Sequence, residues 1–357
     1  LFSVISMKYN ARPEYCFPNR SYVRDDGELL LTSQDGCREL GRRFGNVRSL
    51  SFSDKRTVLV HSDSGSCAIN VIADSNEVIQ KLNVSGFSKV LVDLTLMPVE
   101  IWAPVIKHLL RHRIQVRAMY SEPKSYSLWQ GGFASTGYDN LRMTADTNVE
   151  ADVLSSQPLN RSVSLATQAA SGSYGNGMVA ADGAELEFHI SQSTRGNRPI
   201  PTFASLLRFD QRRTLPLVVL LGFEGWRVAQ LLQDLEFEPE PLYPVVGCPG
   251  YKIDYPGFSV SANTFCLSNP RWSTHLRLAS ACSPFAVFEV LAELSRGMEQ
   301  ICIAPLGTTP MLLGAILFAC VDERASVVYD HPVRAHGGLS ERGRTWVYDL
   351  SNFGAFK

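Results

Sequence analysis

Between Ile301 and Asp322 the chain reads ICIAPLGTTPMLLGAILFACVD, two apolar runs separated by a polar turn. The longer run, Met311 to Val321, holds about eleven residues, where a membrane-spanning helix needs ~20. The pattern therefore predicts a buried strand over Ile301 to Ala304, a tight turn and a buried helix. Thr308 or Thr309 would cap that helix, and Pro310 would sit at its start, where a missing N–H costs nothing. The same grammar recurs upstream. LPLVVLLGFEGWRVAQLLQDLEFEPE predicts a strand over Leu215 to Leu221, a turn over Gly222 to Gly225, and a helix with Val228, Leu231, Leu232 and Leu235 on one face. PLYPVVG and ASVVYDHPV read as further short apolar strands, and SPFAVFEVLAELSRGM as a helix capped by Ser283, opened by Pro284 and stopped at Gly297. Strands without polar alternation, separated by helices, indicate a parallel sheet covered on both faces.

An earlier segment has a similar shape. KVLVDLTLMPVEIWAPVIKHLLRHRIQVRAMYSEP predicts a strand to Leu94, a turn ending in Pro98, a helix to about His112 and a second strand over Gln115 to Tyr120. Pro104 predicts a kink or a broken start in that helix. VDLTLMP and APLGTTP share a leucine and a proline at matched offsets, which suggests a duplication. The expected fold class is α/β: two Rossmann-like units with mainly parallel sheets, joined by an irregular Gly/Ser-rich insert. Residues 1–54 form an N-terminal arm, 55–128 the first unit, 129–205 the insert or linker, and 206–357 the second unit with a C-terminal tail. The insert includes QAASGSYGNGMVAADG, which buries little apolar surface per residue ordered, and only AELEFHI within it reads as a strand.

Composition and charge narrow the function. At 357 residues and 45% hydrophobic the chain is long enough for a real core. Its 34 Lys+Arg balance 35 Asp+Glu, so no global field draws it to nucleic acid or to an anionic membrane, and anion recognition must be local. None of the eight cysteines forms a C-x-x-C pair, which argues for buried free thiols rather than a zinc site or a disulfide framework; no metal or cofactor is expected. The stretch LFSVISMKYNARPEYCF lacks the basic region and long apolar run of a signal peptide, and Met7 is a candidate natural start. The expected compartment is the cytoplasm, where thiols stay reduced.

In open parallel sheets, ligands bind beyond the carboxyl ends of the strands, where helix N-termini present free N–H groups. Three turns qualify: Asp93 to Pro98, Gly222 to Gly225 and Pro305 to Pro310. Gly307 permits close approach of an anion, and the hydroxyls and amides of Thr308 and Thr309 can donate to it. A helix terminus contributes only ~0.3–1 kcal/mol toward an exposed anion. A charged hydrogen bond contributes ~1.5–3 kcal/mol, so an arginine is expected nearby, Arg227 or Arg334. The ligand-binding set is then Gly222, Glu224, Gly225, Arg227, Gly307, Thr308, Thr309 and Arg334. The plainer alternative is a well-capped core helix and solvated arginines.

For an enzyme, Asp93, Glu224 and His331 are the catalytic candidates. Asp93 would contact a ribose hydroxyl or simply cap the next helix. In VYDHPVRAHGG, Asp330, His331 and His336 follow a strand, but neighbours on a strand point to opposite faces, so a structural turn is the better reading. HSDSGS offers His61, Asp63 and Ser64 without the Gly-x-Ser-x-Gly spacing of a nucleophile elbow, and no Gly-x-Gly-x-x-Gly fingerprint occurs in FGNVR or GFEG.

CIAPLGTTPM resembles the Gly-Gly-Thr-Lys-Pro-Met type of motif in CRISPR-associated Rossmann-fold (CARF) sensor domains, and LLGFEG occupies the place of their first strand and loop. The chain is also similar, more loosely, to Rossmann-like sensor proteins of anti-phage defence. The resemblance implies that Gly307, Thr308, Pro310 and Met311 belong to a cyclic-oligonucleotide pocket. Thr309 stands where that family has lysine, and Leu306 where it has its first glycine. The expected function is a sensor or regulatory subunit that binds a small anionic, nucleotide-derived ligand and works with an effector protein or as a homo-oligomer. The alternatives are an enzyme acting on a nucleotide or phosphoester, and a structural subunit without a ligand.

Overall fold

Every residue of Leu217–Leu221 is buried, as is every residue of Ile301–Pro305, which requires cover on both faces of the sheet they share. The computed structural model describes residues 14–17, 29–33, 49–54, 57–62, 65–70, 88–95, 97–124, 126, 128–130, 178–179, 185–188, 190–200, 202–203, 215–235, 241–334 and 342–356. In chain order it contains β1 (Glu14–Phe17), β2 (Leu29–Ser33), β3 (Ser49–Asp54), β4 (Thr57–Ser62), β5 (Gly65–Asn70), β6 (Lys89–Asp93), helix α1 (Val99–Arg111) and β7 (Gln115–Pro123). Short strands follow: β8 (Leu128–Gln130), β9 (Met178–Val179), β10 (Glu185–Phe188), β11 (Ser191–Thr194) and β12 (Arg198–Pro199). Then come β13 (Leu217–Leu221), α2 (Gly225–Leu235), β14 (Leu242–Gly247), α3 (Tyr255–Ala262), β15 (Arg277–Ala279), α4 (Pro284–Leu294), β16 (Ile301–Pro305), α5 (Thr309–Val321), β17 (Ala325–Tyr329), β18 (Pro332–Arg334) and β19 (Arg342–Asp349).

Strands β15, β14, β13, β16 and β17 lie side by side in that order and are all parallel, with β12 antiparallel at the β17 edge. Numbered along the chain this is the order 3-2-1-4-5, compatible with a Rossmann-like fold, and the order reverses between β13 and β16. The period of two along a strand sorts its side chains onto two faces. Leu217, Val219 and Leu221 join Val228 and Leu231 of α2 in one cluster, while Val218 and Leu220 join Phe285 and Phe288 of α4 and Met311 and Leu313 of α5 in another. Helices therefore cover both faces. Helix α5 is buried at every position from Pro310 to Ala319, which is why its sequence is apolar all round rather than amphipathic.

The second sheet has eight strands in the order β1-β19-β7-β6-β2-β3-β4-β5. Its central strands β7, β6, β2 and β3 are parallel, whereas β4 and β5 form an antiparallel hairpin and β19 runs antiparallel between β1 and β7. The parallel character expected of this unit thus holds only at its centre. The N-terminal arm supplies three strands of the sheet, and the expected C-terminal tail returns to it as β19. The pairings of β19 with β1 and with β7 join residues more than two hundred positions apart, which no local window of sequence records. Helix α1 runs unbroken through Pro104.

One core cluster takes residues from both sheets: Val90 and Val92 of β6, Trp102, Ile106 and Leu109 of α1, and Tyr348 of β19 join α4 and α5. The Tyr348 hydroxyl donates to Cys282 O at 2.7 Å, and its ring meets Phe285 edge-on. Of the insert, 129–205, residues 129–130, 178–179, 185–188, 190–200 and 202–203 are described; β10 falls on the strand expected in AELEFHI and pairs with β8 and β9. Among the described residues no helix is long and apolar enough to cross a membrane.

Candidate functional site

The reversal between β13 and β16 places the Gly222–Gly225 turn beside the Pro305–Pro310 turn, since neighbouring strands lie ~4.8 Å apart. The two loops touch. A methyl group built on Gly222 would collide with Leu306 O, and one on Gly307 would lie 2.8 Å from Met311 Sδ and 3.1 Å from Leu221 O. Gly225 is tighter still, with its added carbon deeply overlapping Ala262 O. These glycines let three loop segments pack against one another. The Gly222 carbonyl accepts from Asn263 Nδ2 at 2.8 Å and from Ser259 Oγ at 3.2 Å, so α3 fixes the turn from the outer side.

Thr308 caps α5: its Oγ1 accepts from Met311 N at 3.4 Å and donates to Ala281 O at 2.6 Å, linking the loop that opens α5 to the loop that opens α4. Ser283 caps α4 in the same way, its Oγ accepting from Ala286 N at 3.2 Å. With the Met311 amide satisfied by the cap and Pro310 lacking an N–H, the amides of Gly307, Thr308 and Thr309 are left without an acceptor among the described residues. Gly307, Thr308 and Thr309 are partly exposed. This is the arrangement of donors that an anion needs at a helix N-terminus.

Arg227 is turned away from that terminus. Its Nε and Nη2 each meet one oxygen of Asp330 at 2.6 Å, Nη1 lies 3.4 Å from Leu306 O, and Glu224 Oε2 is 3.6 Å from Nη1. Burial favours losing the charge, but the hydrogen bonds and charge of Asp330 hold Arg227 above its ordinary range. Glu224 in turn accepts from Ile190 N at 3.2 Å, Ser191 N at 2.7 Å and Ser191 Oγ at 2.8 Å. The buried trio joins α2, the β16 turn, the end of β17 and β11. Arg334 lies on β18 opposite Ser191, and its side chain lies outside the described residues.

Of the catalytic candidates, Asp93 is fully buried at the end of β6, where Oδ1 accepts from Thr95 N at 2.9 Å. His331 lies next to Asp330 with a backbone φ of 48°, a left-handed conformation that is strained outside glycine. Its Nδ1 is 2.7 Å from Glu100 Oε1, in the first turn of α1. Glu100 was not legible as a partner: an acid in a helix's first turn ordinarily serves the helix dipole. Burial raises its carboxyl, but the hydrogen bond and charge of His331, with Arg195 beyond, outweigh this and lower it. Of the HSDSGS candidates and His336, side chains lie outside the described residues.

The strand ends carry one feature that the motifs did not single out. Tyr126, after β7, meets Phe223 at 5.3 Å and Tyr255 at 5.8 Å between ring centroids, and Phe223 meets Tyr255 at 5.1 Å. The signal was present in YSEPKSY and PGYKIDYP, where tyrosines flank prolines and glycines at strand ends. Both sheets thus direct their carboxyl ends to one region, through Tyr126 with Phe223 and through Glu100 with His331. Comparison with protein-family models, with curated proteins and with solved structures finds no match to this chain.

Proposed function

We propose that the chain binds a small anionic, nucleotide-derived ligand at the carboxyl edge of its parallel sheet and acts as a sensor or regulatory subunit. The observation that carries this reading is the reversal of strand order between β13 and β16, with the N-terminus of the buried helix α5 at that point and the amides of Gly307, Thr308 and Thr309 without an acceptor among the described residues. In such sheets the crevice at the reversal is where ligands bind. In this reading the chain is two Rossmann-like units linked by the insert, and it works in the cytoplasm with an effector partner or a second copy, in the manner of anti-phage sensors. Arg227 serves as the strut of the loops rather than as a phosphate ligand, because Asp330 and Leu306 O already face its donors.

A second reading, an enzyme acting on a nucleotide or phosphoester, is favoured by the Glu100–His331 pair, a carboxylate orienting an imidazole. Titrating the full chain with cyclic and linear nucleotides, while following each by chromatography, separates the two. The sensor reading expects saturable binding without turnover, with His331→Ala and Asp93→Asn changing affinity or nothing. Turnover that either variant abolishes while leaving binding intact would establish the enzyme instead. Absence of both binding and turnover would leave a structural subunit.

A further inference from the structure

We infer that the aromatic group at the ends of β7, β13 and β14 is a subsite for the planar ring of the ligand, a nucleobase. Tyr126, Phe223 and Phe258 are partly exposed, and behind them stand Tyr255 and Tyr251, both buried. Phe258 lies 6.4 Å from Phe223 and 6.2 Å from Tyr255 between ring centroids, so the rings form one continuous surface with edges and faces turned to each other. Aromatic surfaces of this kind hold any base, because every base has a π-face.

One further observation points to a ligand rather than to packing alone. The Tyr251 hydroxyl is buried and has no hydrogen-bond partner among the described residues, although Tyr120, Tyr126, Tyr348 and Cys282 surround it. A buried polar group left unpaired is costly, and the exocyclic and ring nitrogens of a base would supply its partner. Burial pushes Tyr251 above the ordinary tyrosine range and Tyr255 to about 12, so both hydroxyls stay protonated donors at every ordinary pH. Charges of both signs flank the rings, Glu122 and Asp254 beside Lys252 and Arg344. The Lys252 ammonium stands 5.5 Å from the centre of the Tyr255 ring, and Arg344 donates from Nε to Glu122 at 2.7 Å and from Nη2 to Tyr251 O at 2.8 Å. Phe223 belongs to the same turn as Gly222, which touches Gly307, so ring subsite and helix terminus adjoin. The subsite deepens the reading proposed above and rests on it for the anionic end of the ligand only.

The test is calorimetric titration of the full chain with adenosine, guanosine, cytidine and uridine, which carry rings without phosphate, and separately with inorganic pyrophosphate. At least one nucleoside binds saturably to the wild type, and Phe223→Leu and Tyr251→Phe each weaken it roughly tenfold while leaving pyrophosphate unaffected. Tyr251→Phe removes an unpaired buried group, so it melts no lower than wild type and separates binding from folding. Nucleoside binding without pyrophosphate binding supports the subsite and overturns the anion reading. No saturable binding of any nucleoside, or equal binding by Tyr251→Phe and wild type, overturns the subsite.

Discussion

At the scale of the residue, the trio of Arg227, Asp330 and Glu224 shows where a reading of residue types stops. GFEGWR announces an arginine one turn into a helix at a strand end, which is also what a phosphate ligand looks like in sequence. Its partner Asp330 lies over a hundred positions downstream and is fixed by the fold. Removing one member of such a buried pair leaves the other uncompensated, so Arg227→Met should cost ~3–5 kcal/mol, and adding Asp330→Leu should restore much of it. Urea unfolding checks this; a single variant as stable as wild type would mean that the pair is not buried as described. The glycines make a finer comparison. Gly222→Ala drives a methyl into the backbone oxygen of Leu306, whereas Gly307→Ala first meets the flexible end of Met311. Gly222→Ala should therefore lower the melting temperature more than Gly307→Ala, and the reverse order would contradict the close contact of the two turns.

At the scale of the element, β13, β14, β16, β17 and the helices α2, α4 and α5 were legible because each is a short apolar run bounded by glycine, proline or a capping residue. Ser283 and Thr308 both cap as their position before a proline-led helix suggests. Ser283→Ala should cost about 1 kcal/mol. Thr308→Val should cost more, because it also removes the bond to Ala281 O; equal losses in denaturant unfolding would count against that link. Helix α1 carries a pH dependence. The Glu100 carboxyl titrates below its ordinary value in the folded chain, so its contribution is complete above that ordinary value and is lost as pH falls through the lowered one. Glu100→Gln should flatten the acid limb of stability against pH. An unchanged acid limb would remove the His331 contact from the account.

At the scale of the molecule, the shared core of both sheets with α1, α4 and α5 predicts a single cooperative unfolding transition for the chain, and two separated transitions by calorimetry would contradict it. Cys248, Cys266, Cys282, Cys302 and Cys320 stand as thiols rather than in disulfides, and burial pushes the Cys266 and Cys320 thiols up to about 12. A thiol reagent should react with the buried Cys266, Cys282 and Cys302 only after unfolding. The place of the candidate site was legible for a general reason: strands without alternation imply a parallel sheet, and a parallel sheet puts helix N-termini at its carboxyl ends. The aromatic surface and the Glu100–His331 pair were not, because each arises where the two sheets converge. The central claim, an anion held at the N-terminus of α5, is tested most directly by Thr309→Glu. Thr309 is partly exposed in the first turn of α5, where a carboxylate complements the helix dipole and leaves the fold intact. Calorimetric titration with the nucleotide that binds the wild type best should then show binding reduced at least ~tenfold, since like charge replaces anion attraction at the same amides, with the melting temperature unchanged or raised. Wild-type affinity in a normally folded Thr309→Glu would place the ligand elsewhere and contradict the account.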